Sequence, residues 1–367
     1  MFGLSRLSAE GKVGVATGVV FFSMLISRTV LSERVDITTR ARLFRAQFLL
    51  LINSLLLLGS LHIWKRVVTR LCGARLGVAT WSHRCWRAAV LLFLSLAHCS
   101  YLSMFYLVDT EPHWLSLLSF SCLGVYVILL FLLVVFGCVG RMLQMFSRGS
   151  AVGVSGSSRQ TVLALMLTAL LAVYGLINAA QPPQVVEVEI PLEKLPDSMD
   201  GLKMVLLSDI HLGPTVGRSQ LQRVVTMVNQ IEPGDPFEWR CRTAGSPQPS
   251  TRLLLRDRYP DHGMDVEKAV SGCSEEHPIV LLAHQPRAAK QALQRRPDIN
   301  LVLSGHTHAG QIFPLTLLAF LVNPFFCGLY RISEHSAVYV TPGTVYYGIP
   351  MRIGSRAEIT LITLKSA

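Results

Sequence analysis

The sequence predicts a helical multi-span membrane region followed by an α/β domain. Three observations predict it: long uncharged apolar runs fill the first half, a double proline at 182–183 ends the last of them, and short apolar runs then alternate with helical patterns. The chain has 367 residues, enough for two or more domains of ~100–200 residues each. It is 51% apolar and only 16% charged, with a mean hydropathy of +0.43, which excludes both a disordered chain and a purely soluble globule. The formal charge of +11 is unevenly placed. Residues 1–180 hold 16 Lys and Arg against 5 Asp and Glu, whereas residues 181–367 hold 18 against 18. A nucleic-acid binder would concentrate its basic residues on a folded domain. Here the surplus lies among apolar runs, so it is a membrane-topology signal and no nucleic-acid partner is expected.

Crossing the ~30 Å hydrocarbon core takes about 20 mostly apolar helical residues, because a helix satisfies its own backbone hydrogen bonds in lipid. Residues 46–64, 88–108, 114–139 and 162–180 meet that test without a charged side chain. A fifth run, 13–26, is shorter and lies between Lys12 and Arg28. With no small-residue cleavage motif after it, it is expected to be an uncleaved first span rather than a signal peptide. The membrane region is therefore residues 1–180, with about five helices. If the amino terminus is cytosolic, the basic connections at 65–87 and 141–159 also fall inside, and five spans leave the carboxy-terminal domain extracytoplasmic or lumenal. Arg28, Arg34, Arg40, Arg42 and Arg45 of the first connection argue the other way. His62 and His98 are the ionisable residues within the runs, and two histidines without an acidic partner favour an anchor over a transporter.

Consecutive prolines cannot continue a helix, so the second domain, 181–367, opens at Gln181. Residues 185–190 alternate apolar and acidic, as a half-buried strand does. Residues 203–208, 279–283 and 299–304 are short continuous apolar runs of buried-strand type. Helical spacing appears at 219–229 and 287–296, and 337–340 and 358–364 are again strand-like. Strand, helix, strand at these intervals predicts an α/β sheet.

Sheets of this kind place chemistry at the carboxyl ends of strands. The first buried run ends in Asp209 and His211, and residues i and i+2 of an extended segment project to one side. The second ends in His284, and the third in Gly305, His306, Thr307 and His308. One carboxylate and four imidazoles at three strand ends suit a transition-type divalent cation such as Zn, Mn or Fe. Either short motif alone is common by chance. Three in fixed order, each directly after a buried run, are far more specific.

This order of Asp-x-His, a lone His after a strand, and Gly-His-x-His resembles the calcineurin-like metallophosphoesterases. Ser304, the run Ala309, Gly310, Gln311, Ile312, the run Thr341, Pro342, Gly343, Thr344, and Tyr347, Gly348, Ile349, Pro350 and Arg352 resemble the membrane-anchored branch of that family. The resemblance implies a four-layer αββα sandwich with two divalent ions (Mn, Zn, Fe or Mg) at the strand ends. Carried over, Asp209, His211 and His308 would ligate the first metal, and His284 and His306 the second. It further implies a hydrolase that cleaves phosphomonoesters or phosphodiesters with metal-activated water.

Two family motifs are missing from this chain. The resemblance calls for a Gly-Asp that supplies a bridging carboxylate, and for a Gly-Asn-His followed by an acid that supplies an asparagine ligand and a histidine. Only 73 positions separate His211 from His284, and the atypical segment 234–250 is rich in Gly, Pro, Ser and Arg without a strand period. Gly234 and Asp235 follow no buried strand and precede Pro236, so they make a poor substitute. The domain is therefore expected to be incomplete, as a spliced, deleted or misassigned coding region would leave it. Its second metal would keep two ligands, and its two-metal activity is expected to be weak or absent. The alternative is a catalytically inactive membrane-anchored variant that binds a partner or regulates an intact copy.

Residues 312–330 are long and apolar enough to mimic a sixth span but are interrupted by Pro314, Asn323 and Pro324. Core packing is the ordinary expectation for them. The other is a segment lying against the bilayer that guides a lipid-like phosphate ester to the site. Eight cysteines without a Cys-x-x-Cys support neither a disulfide framework nor a cysteine metal site, and residues 181–367 contain no Asn-x-Ser/Thr.

Overall fold

The computed structural model describes residues 7–30, 35–71, 81–107, 112–146, 154–231, 265–273 and 276–367. The atypical segment 234–250 lies outside the described residues. The chain forms two compact units, Met1–Asp109 with His113–Ala172, and Thr110–Pro112 with Val173–Ala367.

The first unit is helical: α1 (Ala9–Val30), α2 (Ile37–Ile63) continuing as a π-helical stretch Trp64–Arg70, α3 (Trp81–Tyr106), α4 (Trp114–Phe146), and the first part of α5 (Val154–Ala180). Among the described residues five helices are long and apolar enough to cross a membrane, in agreement with the five runs of the sequence. Each helix extends beyond its apolar run, so Arg40, Arg42 and Arg45 stand on α2 rather than in a connection. Asp36 caps α2 by accepting from the backbone N–H groups of Thr38 and Thr39 at 3.1 and 3.0 Å. His98 is held as interhelical glue: its Nδ1 pairs with Asn53 Oδ1 at 2.7 Å and its Nε2 with Ser60 Oγ at 3.1 Å. Both partners are neutral, which suits an anchor better than an ion pathway.

The second unit is an αββα sandwich built on two sheets. The first has strand order β1 (Gln184–Leu192), β7 (Glu358–Ser366), β2 (Lys203–Leu206), with β1 parallel and β2 antiparallel to β7. The second has order β3 (Val280–Leu282), β4 (Leu301–Ser304), β6 (Ala337–Val340), β5 (Gly328–Arg331), parallel except for β5. Strand alternation divides the core into layers. Ile190, Leu192, Leu301, Leu303, Tyr339, Ile362 and Leu364 meet between the sheets. On the outer face of the second sheet Val302, Val338 and Val340 pack with α7 (Val266–Val270) and α8 (Pro286–Arg295). On the outer face of the first, Ile359 and Val205 pack with Val224 of α6 (Arg218–Gln230). β2 stops at Leu206 and β3 at Leu282, short of their apolar runs, because the chain beyond them leads into the site; β4 ends with its run at Ser304 but begins two residues after it, and β6 matches its run. Residues 312–330 divide: Ile312 is buried and Phe325 and Tyr330 pack against the core beside the second sheet, as core packing predicts, whereas the helix α9 (Leu315–Val322) between them has no buried residue and leads on toward β5.

Candidate metal centre

Asp209, His284 and the His306–His308 turn follow the carboxyl ends of β2, β3 and β4, as the sequence implied. The means of convergence differs from extended alternation. Asp209 and His211 have φ of 58° and 47°, and His306 and His308 have 69° and 50°, so both pairs turn through left-handed backbone. Non-glycine residues held there cost about 1 kcal/mol or more each, a strain that clusters at functional sites.

The Asp209 side chain is 1% exposed and uses its two oxygens differently. Oδ2 accepts from the His306 backbone N–H at 2.9 Å and from Ser208 Oγ at 2.8 Å, which fixes the carboxylate plane. Oδ1 faces three imidazoles: His211 Nε2 at 3.3 Å, His284 Nε2 at 3.5 Å and His308 Nε2 at 3.5 Å. His211 Nε2 and His308 Nε2 are 3.0 Å apart. Asp209, His211 and His308 form the group whose donor atoms all lie within 4.8 Å of one another. His284 reaches Asp209 but lies outside that group, and the His306 ring stands 5.3 Å from the His284 ring. Four donors about 2.1 Å from a common tetrahedral cation are about 3.4 Å from one another. Edges of 3.0, 3.3 and 3.5 Å among Asp209, His211 and His308 therefore suit one face of such a site.

Protonation fits the same use. Burial pushes the Asp209 carboxyl up, but the His211 hydrogen bond, the nearby His308 and His284 and the His306 N–H together hold it well below the usual carboxylate range. Burial pushes the His308 imidazole down to about 4 against the pull of Asp209, with Arg352, His211 and His306 adding to the fall. At neutral pH an ionised carboxylate thus faces a neutral imidazole, the states in which both bind a cation.

Neighbouring loops hold this cluster. Thr344 N donates to Ser208 O at 2.9 Å and Thr344 Oγ1 accepts from Ser208 N at 3.2 Å. Gly343, at φ 83°, lies so close that a Cβ there would sit 3.1 Å from Asp209 Cβ and 3.2 Å from His308 Nδ1. A Cβ on Gly305 would run into Ser208 Oγ and sit 2.5 Å from Asp209 Oδ2. The Gln311 side chain donates to Ile349 O at 2.8 Å and accepts from Tyr347 N at 2.7 Å, setting the Tyr347 ring 4.6 Å from that of His211. Fully buried Arg352 donates to the carbonyls of Pro342, Gly343, Val345 and Arg356 at 3.1, 3.2, 2.8 and 3.0 Å. The sequence contained these residues as family words. The supporting roles of Thr344 and Gln311 had no local signal, since each acts across a long sequence separation.

The chain's relatives carry metallophosphoesterase names. The chain is 61% identical to the transmembrane protein with metallophosphoesterase domain of Danio rerio, with all of both chains covered. It is 43% identical to the protein of the same name in Bos taurus, with 99% of each covered. The chain belongs to the membrane-spanning metallophosphoesterases. A more distant relative, an uncharacterized metallophosphoesterase of Campylobacter jejuni, is 26% identical over 55% of this chain and 69% of its own. No family profile matches the chain, and no solved structure does. This metallophosphoesterase is shorter than its Danio rerio relative: that alignment runs over 438 positions against 367 residues, so at least 71 positions of that relative face no residue here.

Proposed function

We propose that this chain is a membrane-anchored phosphoesterase that hydrolyses phosphomonoesters or phosphodiesters with one well-formed divalent-metal site and a second that is half-built. The convergence of three imidazole nitrogens on Asp209 Oδ1, with Oδ2 tied off by backbone and serine, carries the reading. Asp209, His211 and His308 would hold the first ion, and His284 and His306 contribute to the second. When bound, a divalent cation supplies Lewis-acid polarisation of a phosphoryl oxygen and lowers the pKa of a water. The chain's own residues orient the carboxylate, keep His308 neutral and stand Tyr347 over the His211 ring. Two ligands are too few for a stable second ion.

The length difference supports a loss from the soluble half. The Campylobacter jejuni alignment spends 263 positions on 55% of this chain, about 202 residues, so an excess close to that of the Danio rerio alignment recurs within a partial match. The interval from α6 to β3 is the place we assign to it. The domain, residues 181–367, is proposed to lie on the extracytoplasmic or lumenal side of five spans, which protease protection in sealed vesicles would check.

Purified full-length protein assayed with p-nitrophenyl phosphate and bis-p-nitrophenyl phosphate in Mn²⁺ is expected to turn over slowly and to bind about one ion per chain. Asp209→Asn and His308→Ala should abolish turnover. Metal binding without any turnover would overturn the enzymatic reading in favour of an inactive binding or regulatory variant. Fast turnover with two ions would overturn the half-built second site.

A further inference from the structure

The helix α9 follows the metal-site turn directly and is apolar except at Thr316. Leu315, Leu317, Leu318, Phe320, Leu321 and Val322 are all exposed, Phe320 by 62% and Leu321 by 77%. No charged residue occurs from Ile312 to Tyr330. A helix with six large apolar side chains left uncovered by the described residues is not a stable water-facing element; it needs an apolar phase or a partner.

Its tethers say which. Phe313 N donates to Ile353 O at 3.2 Å, and Arg352 N donates to Gly175 O of α5 at 3.0 Å. Asn178 Nδ2 of α5 donates to the carbonyls of Arg352 and Ser355 at 2.9 and 3.1 Å. Gly175 admits this contact because it lacks a side chain: a Cβ would sit 2.8 Å from Ile353 Cγ1 and 3.2 Å from Met351 Cβ. Gly175 lies five residues before the end of the span at Ala180, about 7 Å along the helix axis. The segment that holds the root of α9 is thus bonded to the last turns of a membrane-spanning helix. At the other end, Arg287 Nη2 donates to Val322 O at 3.4 Å, placing a cation where a lipid phosphate would meet an interfacial helix.

We propose that α9 lies in the bilayer interface, and that the Asp209–His308 site works at the lipid surface on phosphate esters carried by a membrane amphiphile. The second half of this statement rests on the phosphoesterase reading; the first does not. The site and the helix are joined at both ends. The Gly310 backbone is packed against Thr316 of α9, and Thr307, between the two site histidines, donates through Oγ1 to Phe326 O at 2.7 Å just past the helix. Seating α9 in lipid therefore places the His306–His308 turn at the headgroup level.

Full-length protein in vesicles of phosphatidylcholine and phosphatidylglycerol, carrying the photo-crosslinker p-benzoylphenylalanine in place of Phe320 or Leu321, should yield phospholipid adducts. The same crosslinker at Glu334, in the β5–β6 turn at the opposite end of the sheet, should yield none. Adducts to a second copy of the chain, or no lipid adducts at 320 and 321, would overturn the membrane contact. In the same vesicles the triple variant Leu317→Asn, Leu318→Asn, Phe320→Asn should lose about tenfold or more of its Mn²⁺-dependent hydrolysis of phosphatidic acid and keep its hydrolysis of p-nitrophenyl phosphate. Equal loss on both substrates would overturn the substrate class. A wild type inactive on both would remove that class together with the phosphoesterase reading, while the lipid adducts would still decide the helix.

Discussion

Asp209 does the central work of the site by dividing its oxygens between scaffold and ligand field. Both glycines beside it are needed for space, and Gly343 also for its φ of 83°. Gly343→Ala should move Asp209 or His308 by a few tenths of an ångström and lower Mn²⁺ affinity by about tenfold or more, as loss of supporting groups around a metal typically does; isothermal titration would measure it. Arg352 is a different case: four carbonyls of two loops depend on one buried guanidinium. Arg352→Met fills the volume but removes the guanidinium donor from all four carbonyls, of which Gly343 O still accepts from Glu358 N, and should destabilise the domain by about 3 kcal/mol. A clear drop in the thermal midpoint in detergent is the readout. At this scale the candidate ligands were legible in the sequence because Asp-x-His and Gly-His-x-His are short-range patterns. The left-handed turns that make them converge were not, since nothing local announces a strained Asp or His.

Among elements, the buried strands β3, β4 and β6 were legible from continuous apolar runs, and α6 and α8 from helical spacing. The bounds of β3 and β4 were less exact, because Ile279 and Ala283 at the ends of one run, and Ile299 and Asn300 at the start of the other, fall outside the strands, whereas β6 matches its run. The same limit applies to α9. An apolar run of its composition is equally suited to a core, a span or an interface, and only its position outside the three clusters of the α/β unit separates these. The junction of α5 with the 351–353 segment gives an element-scale prediction. Gly175→Leu cannot be accommodated against Met351 and Ile353 and should detach the segment, so limited proteolysis should cleave the variant near residues 351–356 several-fold faster than the wild type.

On the scale of the whole molecule, the proposed metal site and the length difference from the Danio rerio relative each give a prediction. A cation that binds only the folded site stabilises it by about 2.7 kcal/mol at a hundredfold excess over its Kd. EDTA should therefore lower the unfolding midpoint of the wild type and leave that of Asp209→Asn unmoved. If the 71 extra positions of the Danio rerio relative fall between α6 and β3, as proposed, grafting that relative's corresponding stretch there should raise bound metal from one to two ions per chain by elemental analysis and raise turnover with it. An unchanged stoichiometry would show that the loss lies elsewhere.

Composition and patterning by themselves determined that this chain is an integral membrane protein with a distinct α/β domain. Apolar run length against bilayer thickness and strand periodicity are local properties, and they survive without knowledge of contacts. Local motifs likewise named the five candidate ligands. Tertiary structure alone decided which of them share a face, that Asp209 is held by backbone and serine on one oxygen, and that residues 315–322 stand exposed. Those outcomes depend on close approaches between segments a hundred or more residues apart, such as Ser208 with Thr344 and Gly175 with Arg352, and no window along the chain contains both partners.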